Sequence, residues 1–162
     1  SLPRELLRPP AGDLSNASIL PTIVVIGCGK SKLTRTARAR ELYTGNLFRA
    51  CVRYAESRGA PWGILSALHG FLRPDQRIRP YDYRLPKRQQ ELAHWRINAA
   101  TGLSYWRGGH RFTVECLAGE DYAAPFCEEL ERRGVTCARP LRGMSVGTRL
   151  QWLGQRTSGR VP

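Results

Sequence analysis

Ile23-Val24-Val25-Ile26-Gly27-Cys28-Gly29-Lys30-Ser31-Lys32 decides how this chain folds. Four β-branched residues in an unbroken run predict a strand buried on both faces, because a solvated face would place polar residues at alternate positions. Gly27 ends the run. Gly29 then makes a tight turn offering backbone N–H groups, two ammonium groups and a hydroxyl. Downstream, Leu47, Phe48, Cys51, Tyr54 and Ala55 recur at helical spacing until Gly59 stops them. Trp62-Gly63-Ile64-Leu65-Ser66 reads as a second strand, and residues 67–85 as a long irregular segment rich in Pro, Arg and Tyr. Pro86 stands where a helix N1 proline belongs, predicting a helix to about Ala100 with Leu92, Trp95 and Ala99 on one face. Residues 111–117 form a third strand. Asp121 is placed to cap a helix carrying Phe126, Cys127 and Leu130 and ended by Gly134. Residues 135–138 form a fourth strand, and Ser145 is placed to cap a last helix with Leu150, Trp152 and Leu153.

Strand and helix alternate throughout. The expectation is a single-domain α/β three-layer sandwich with a mostly parallel sheet, Rossmann-like, over residues 21–154. Residues 1–20, with Pro9-Pro10, read as an N-terminal arm, and 155–162 as a flexible tail. The 162 residues suit one domain, and a hydrophobic content of 41% supports a real core and excludes global disorder. The apolar run at residues 19–28 is far short of the ~20 residues that span a bilayer. With Arg4, Glu5 and Arg8 near its start the chain shows no secretory leader. A soluble cytoplasmic domain without a membrane partner is expected.

Net charge is +13, from 26 basic and 13 acidic residues, and only Lys30, Lys32 and Lys87 of the bases are lysines. Residues 30–58 hold eight bases against two acids, and residues 71–111 hold nine against three, whereas residues 112–137 hold six acids and two bases. Such a stripe suits a polyanionic partner through counterion release; a solvated arginine-rich surface is the other reading. The five cysteines form no CxxC pair and have no histidine at zinc-knuckle spacing, so no metal is expected. Cys51, Cys116 and Cys127 fall among apolar residues and read as small buried hydrophobes in a reducing compartment. Cys28, in a turn after a strand, is either a thiolate nucleophile or a small residue packed beneath the turn.

Ligands of open parallel sheets bind at the carboxyl ends of the strands. Four loops leave those ends: residues 27–32, residues 66–70 with a continuation through Tyr81-Asp82-Tyr83, residues 118–122, and residues 140–145. Gly29-Lys30-Ser31 ends like a Walker A motif, but the glycine required five residues earlier is Val24. Nor is it a dinucleotide fingerprint, since Lys32 holds the place of the third glycine. What is left is a turn suited to a single phosphate, or a plain β–α turn with solvated lysines. His69 is placed as an acid/base, as a ligand contact, or as a structural turn residue. Asp82 and Glu120 are the rim carboxylates least explained by structure, and paired carboxylates are what glycosidic cleavage uses. Glu120 is equally suited to a helix start, where the dipole favours an acid.

Three blocks of sequence carry a family resemblance: Gly27-Cys28-Gly29-Lys30-Ser31-Lys32-Leu33; Leu42-Tyr43-Thr44-Gly45-Asn46-Leu47-Phe48; and Ile64-Leu65-Ser66-Ala67-Leu68-His69-Gly70-Phe71-Leu72 with Pro80-Tyr81-Asp82. Together with Leu117-Ala118-Gly119-Glu120-Asp121-Tyr122 and the Pro140-Leu141-Arg142-Gly143-Met144-Ser145 run, they resemble the small stand-alone relatives of the YaaA peroxide-stress family, largely catalogued as a domain of unknown function. The resemblance implies an α/β fold and a link to nucleic acid, because YaaA proteins bind DNA and related domains occur beside base-modifying or base-excising enzymes. This chain is much shorter than full YaaA, so DNA binding by that protein's additional elements does not carry over.

The leading expectation is a hydrolase of the nucleobase–sugar bond, an N-glycosidase acting on a nucleotide or nucleic acid without a cofactor. Lys30, Ser31 and Lys32 would hold phosphate on the Gly27-Cys28-Gly29 turn. His69 and Asp82 would contact sugar or activate water, and Glu120 would serve as acid/base or nucleophile. Tyr43, Ser66, Tyr81 and Arg142 would complete the nucleotide pocket. The alternatives are a non-catalytic DNA-binding stress-response protein and a thiol-dependent enzyme built on Cys28.

Overall fold

A computed structural model describes residues 19–158. The expected arm, apart from its last two residues, and the end of the tail lie outside the described residues. The chain is a mixed α/β protein. Among the described residues, seven strands, β1 (Thr22–Gly27), β2 (Ala37–Arg38), β3 (Trp62–Ser66), β4 (Gly70–Leu72), β5 (Arg77–Ile78), β6 (Thr113–Cys116) and β7 (Cys137–Ala138), are joined by five helices. These are α1 (Ala39–Leu42), α2 (Asn46–Ser57), α3 (Gln89–Arg107), α4 (Glu120–Arg132) and α5 (Val146–Ser158).

The main sheet has the order β4-β3-β1-β6-β7, parallel except for β4, which runs antiparallel along β3. β1 is the central strand, paired through Val24 with Trp62 on one side and through Val25 with Cys116 on the other. Its side chains alternate between two cores, as a pleated strand requires. Val24 and Ile26 enter a cluster with Phe48, Cys51 and Tyr54 of α2 and Leu153 of α5. Ile23 and Val25 enter a second cluster with Trp95, Ala99 and Leu103 of α3 and Phe126 and Leu130 of α4. The continuous β-branched run is thus explained by burial on both faces.

Several boundaries differ from expectation. The helix expected from Pro86 begins at Gln89 with Arg88 as its N-cap, and it runs to Arg107, where Gly108 closes it in the left-handed conformation. Its extra turns carry Gly102, which lies against the Phe71 side chain of β4, so close packing favours a helical glycine that propensity would disfavour. Residues 67–85 are not wholly irregular. They hold β4 and also β5, which pairs antiparallel with β2 in a separate two-stranded ribbon. α4 is capped by Gly119 rather than Asp121, which lies in its first turn. Ser145 does cap α5, its Oγ accepting the Thr148 amide at 3.2 Å, and α5 continues to Ser158, past the start of the expected tail. Cys127 is buried as expected, but it is disulfide-bonded to Cys137 rather than packed as a free thiol. No helix among the described residues is long and apolar enough to cross a membrane.

β3 is buried along its whole length and includes Gly63. A Cβ there would collide with the Phe71 ring and come within 3.2 Å of the Leu72 carbonyl oxygen. Gly63→Ala is therefore expected to destabilise the fold by about 1–3 kcal/mol through overpacking. Leu103→Ala, in the opposite core, is expected to cost about 2–5 kcal/mol through a cavity. Urea unfolding measures both. A Gly63→Ala loss within the error of the method would show that Phe71 yields its place freely.

Candidate functional site

Chain order and sheet order part company at β1. From β1 the chain first builds β3 on one side, then crosses to β6 on the other. Such a reversal opens a crevice between the carboxyl ends of the two diverging strands. Here it is narrow at its base, since a Cβ on Gly27 would lie 3.1 Å from Ala118 Cβ. Only glycine lets the two loops approach so closely. Above that contact is a cavity of about 480 Å³, lined by Gly27, Cys28, Gly29, Gly119 and Tyr122, with Phe48, Leu117 and Leu150 among its apolar walls. That volume lies in the range of small-molecule sites.

The loop after β1 does not run straight into a helix. Cys28 N–H donates to Leu65 O at 2.9 Å, and Thr44 N–H to Ser31 O at 2.9 Å, so β2 and α1 form an excursion that returns to Gly45. Gly45 then caps α2 and Gly119 caps α4, neither with a side-chain hydrogen bond. Both caps line the cavity. Two helix N-termini whose first-turn amides lack a side-chain acceptor present partial positive charge to the same space. Arg149 of α5 lines the cavity too, its Nε donating to Met144 O at 3.0 Å. The combination attracts an anion, and the apolar walls suit a larger body attached to it.

Beside this cavity stands a cluster of hydroxyls. The Tyr81 hydroxyl lies 2.6 Å from the Tyr43 hydroxyl and 2.6 Å from Ser66 Oγ, and Ser66 is fully buried at the end of β3. Ser66 Oγ accepts the His69 amide at 3.1 Å, and Trp95 Nε1 donates to the Ser66 carbonyl at 2.9 Å. Burial pushes the Tyr81 phenol up to about 12 and raises Tyr43 further, so both are neutral donors at ordinary pH. The Cys28 thiol donates to the Tyr122 hydroxyl at 3.5 Å. Lys32 Nζ lies 4.5 Å from the Tyr81 ring centroid and donates to Lys30 O.

Of the residues expected to form the site, Gly27, Cys28 and Gly29 line the cavity, while Lys30 and Ser31 are exposed and do not. Lys32 is engaged with the tyrosines. Tyr43, Ser66 and Tyr81 are brought together, with His69 edge-on to Tyr81 at 5.4 Å between centroids. Desolvation lowers the His69 pKa below its ordinary 6.5, favouring the neutral imidazole. Asp82 is exposed and makes no side-chain hydrogen bond or ion pair among the described residues. Glu120 opens α4 and pairs with Arg139. That guanidinium, helped by the charges of Arg142 and Arg149, holds its carboxyl below the ordinary value near 4.5.

Arg139 and Arg149 escaped the sequence reading, as did Gly45 and Gly119 as helix caps. Arg139 Nε is buried without a hydrogen-bond partner among the described residues, an orphaned cationic donor at the end of β7. The absence of Ser, Thr, Asp or Asn at positions 45 and 119 was the available signal, because a glycine cap leaves helix amides free.

The fold and its crevice therefore define a mixed α/β protein with an anion-attracting cavity at the switch point of its sheet. Residues 23–155 match the Family of unknown function (DUF6884), and the chain belongs to that family. It is 40% identical over 62 residues to Uncharacterized protein YfjM of Bacillus subtilis (strain 168), a match covering 35% of this chain and 41% of that protein. The chain thus matches less than half the length of that curated relative. No solved structure matches it.

Two substitutions probe this geometry. Tyr81→Phe leaves Ser66 and Tyr43 each short of a partner and is expected to cost about 1–2 kcal/mol in chemical unfolding. For Glu120, a folded pKa below the unfolded one means that the ion pair's contribution is complete above about pH 4.5 and is lost as pH falls through the lower folded value. The stability difference between the wild type and Glu120→Gln should therefore shrink as pH is lowered below about 4.5. An unchanged difference down to about pH 3 would mean that the carboxylate's ionisation does not contribute to the fold.

Proposed function

We propose that this protein is a nucleotide-directed enzyme that binds the phosphate of its substrate in the switch-point cavity and cleaves an N-glycosidic bond. The observation that carries the binding half is the convergence of the α2 and α4 N-termini, both glycine-capped, with Arg149 on one 480 Å³ cavity. A phosphate satisfies the free amides, and the apolar walls accept a base or sugar face. The catalytic half is supported by Glu120, which follows the cap residue Gly119 and is kept ionised by Arg139. An ionised carboxylate near the sugar is what stabilises oxocarbenium-like charge or attacks C1′. The proposal assigns the water or leaving-group side to His69 and Asp82 on the adjoining segments after β3. It carries with it a Rossmann-like three-layer arrangement, supported by the two core clusters on opposite faces of β1, and a cytoplasmic setting.

A second proposal, nucleic-acid binding without catalysis, is favoured by one feature of the β2–β5 ribbon. Arg38 lies directly opposite Arg77, both exposed, with no acidic partner among the described residues. Like charges opposed across a strand pair are unfavourable unless an anion covers them. The resemblance of the Gly27–Leu33 and Ile64–Leu72 blocks to YaaA proteins, if it reflects kinship, points the same way.

Titration with nucleoside monophosphates, followed by chromatography for released base from nucleotides and oligonucleotides, separates these. The enzyme proposal expects Arg149→Ala to weaken nucleotide binding roughly tenfold, the scale of one charge-assisted contact. It expects Glu120→Gln to lower base release by at least about 100-fold with binding retained. Binding without any base release would sink the catalytic half. Steeply salt-dependent oligonucleotide binding that is lost in an Arg38→Gln, Arg77→Gln double variant and untouched by Glu120→Gln would favour the second proposal.

A further inference from the structure

Cys127, in the middle of α4, is bonded to Cys137, the first residue of β7, with Cα atoms 5.5 Å apart across ten positions of sequence. That separation is ordinary for a disulfide, so the backbone of the two elements already stands at bonding distance. Two residues beyond Cys137, Arg139 pairs with Glu120 at the start of the same helix. α4 is thus fastened to the β7 segment twice, covalently at its middle and ionically at its N-terminus, where the cap Gly119 meets the cavity.

Cys127 and Cys137 sit in an apolar cluster with Phe126, Leu130, Leu103 and Val114, and a domain of this size buries enough surface to stand without a staple. A bond two residues from Arg139, the arginine that pairs with Glu120, is placed to act on that ion pair as well as to support the core.

We propose that Cys127 and Cys137 form a reversible redox tether that sets the position of Arg139, and through it Glu120, the neighbour of the cavity-lining cap Gly119. The oxidant is a small-molecule disulfide. Cys137 lies on the edge strand of the sheet and is the less deeply buried of the pair, 9% exposed against 2% for Cys127, and its thiolate attacks one sulfur of that disulfide, forming a mixed disulfide and expelling one thiolate. The Cys127 thiolate then attacks the Cys137 sulfur and expels the second. The protein pair gives up two electrons and two protons, and the small disulfide leaves as two thiols. Excess small thiol runs the sequence backwards. The other cysteines do not compete, because Cys28, Cys51 and Cys116 are free thiols without a cysteine partner.

The effect on catalysis rests on the role proposed for Glu120, whereas the tether itself does not, and the experiment reads the tether directly. The full chain is equilibrated over a range of oxidised-to-reduced glutathione ratios, quenched with acid, alkylated in denaturant so that buried thiols react too, and mapped by mass spectrometry without reduction. The expected oxidised form carries three alkylated cysteines and a linked peptide pair containing Cys127 and Cys137, and the reduced form carries five. Reduction is expected to lower the thermal midpoint by about 4–10 °C and to speed amide exchange at residues 137–145 and 120–122. Cys137→Ser, at the sheet edge, and Cys127→Ala, in the core, should each match the reduced wild type and ignore glutathione. Five alkylated cysteines at every ratio, or equal exchange in the two forms, would overturn the tether. Neither readout involves a nucleotide, so failure of the tether is distinct from failure of the nucleotide assignment.

Discussion

β1 is held on both faces and both edges, and the rest of the molecule is arranged by that constraint. Its four central residues are almost wholly inaccessible, so each must be covered, and one helix layer cannot cover both faces of a pleated strand. α2 with α5 and α3 with α4 are the two covers, each pair packing within itself as well as on the sheet. Parallel neighbours on either side then satisfy the backbone of β1. Because those neighbours are reached in opposite directions, the loops at its carboxyl end diverge and leave space. The cavity is a geometric consequence of burying β1 completely.

Backbone groups, more than reactive side chains, give that cavity its chemical character. Two helices begin there with glycine, so their amides stay open where a serine or aspartate would have closed them. The side chains around the rim are mostly engaged with one another. Ser66, Tyr81 and Tyr43 share a chain of hydroxyl contacts, Lys32 rests on the tyrosines, and Glu120 is tied to Arg139. Such mutual engagement holds the rim rigid. It also leaves Arg149 and the two glycine-capped helix ends facing the cavity.

Much of the fold was legible because its signals are local. The Ile23–Ile26 run, the helical spacing of Phe48, Cys51 and Tyr54, and the Ser145 cap are each contained within a dozen residues, and the structure agrees with each. α3 was misjudged at its carboxyl end because its extra turns depend on distant packing, with Gly102 fitted against Phe71 of β4. The β2–β5 ribbon was missed because two-residue strands carry no periodicity. At the site, the Gly27-Cys28-Gly29 turn was legible as a glycine turn after a buried strand. Lys30 and Lys32 were drawn into the same expectation by proximity in sequence, yet neither lines the cavity.

What the sequence alone determined is the alternation of elements, the two-sided burial of β1 and the presence of a glycine turn at its end. Apolar pattern and turn chemistry act over a few residues, so they can be read in order along the chain. Only the tertiary structure decided that Cys127 meets Cys137, that Glu120 faces Arg139, and that residues 45, 119 and 149 share one cavity. Those meetings follow from strand order, and strand order is set by how whole helices pack on the two faces of the sheet, a choice no local pattern records.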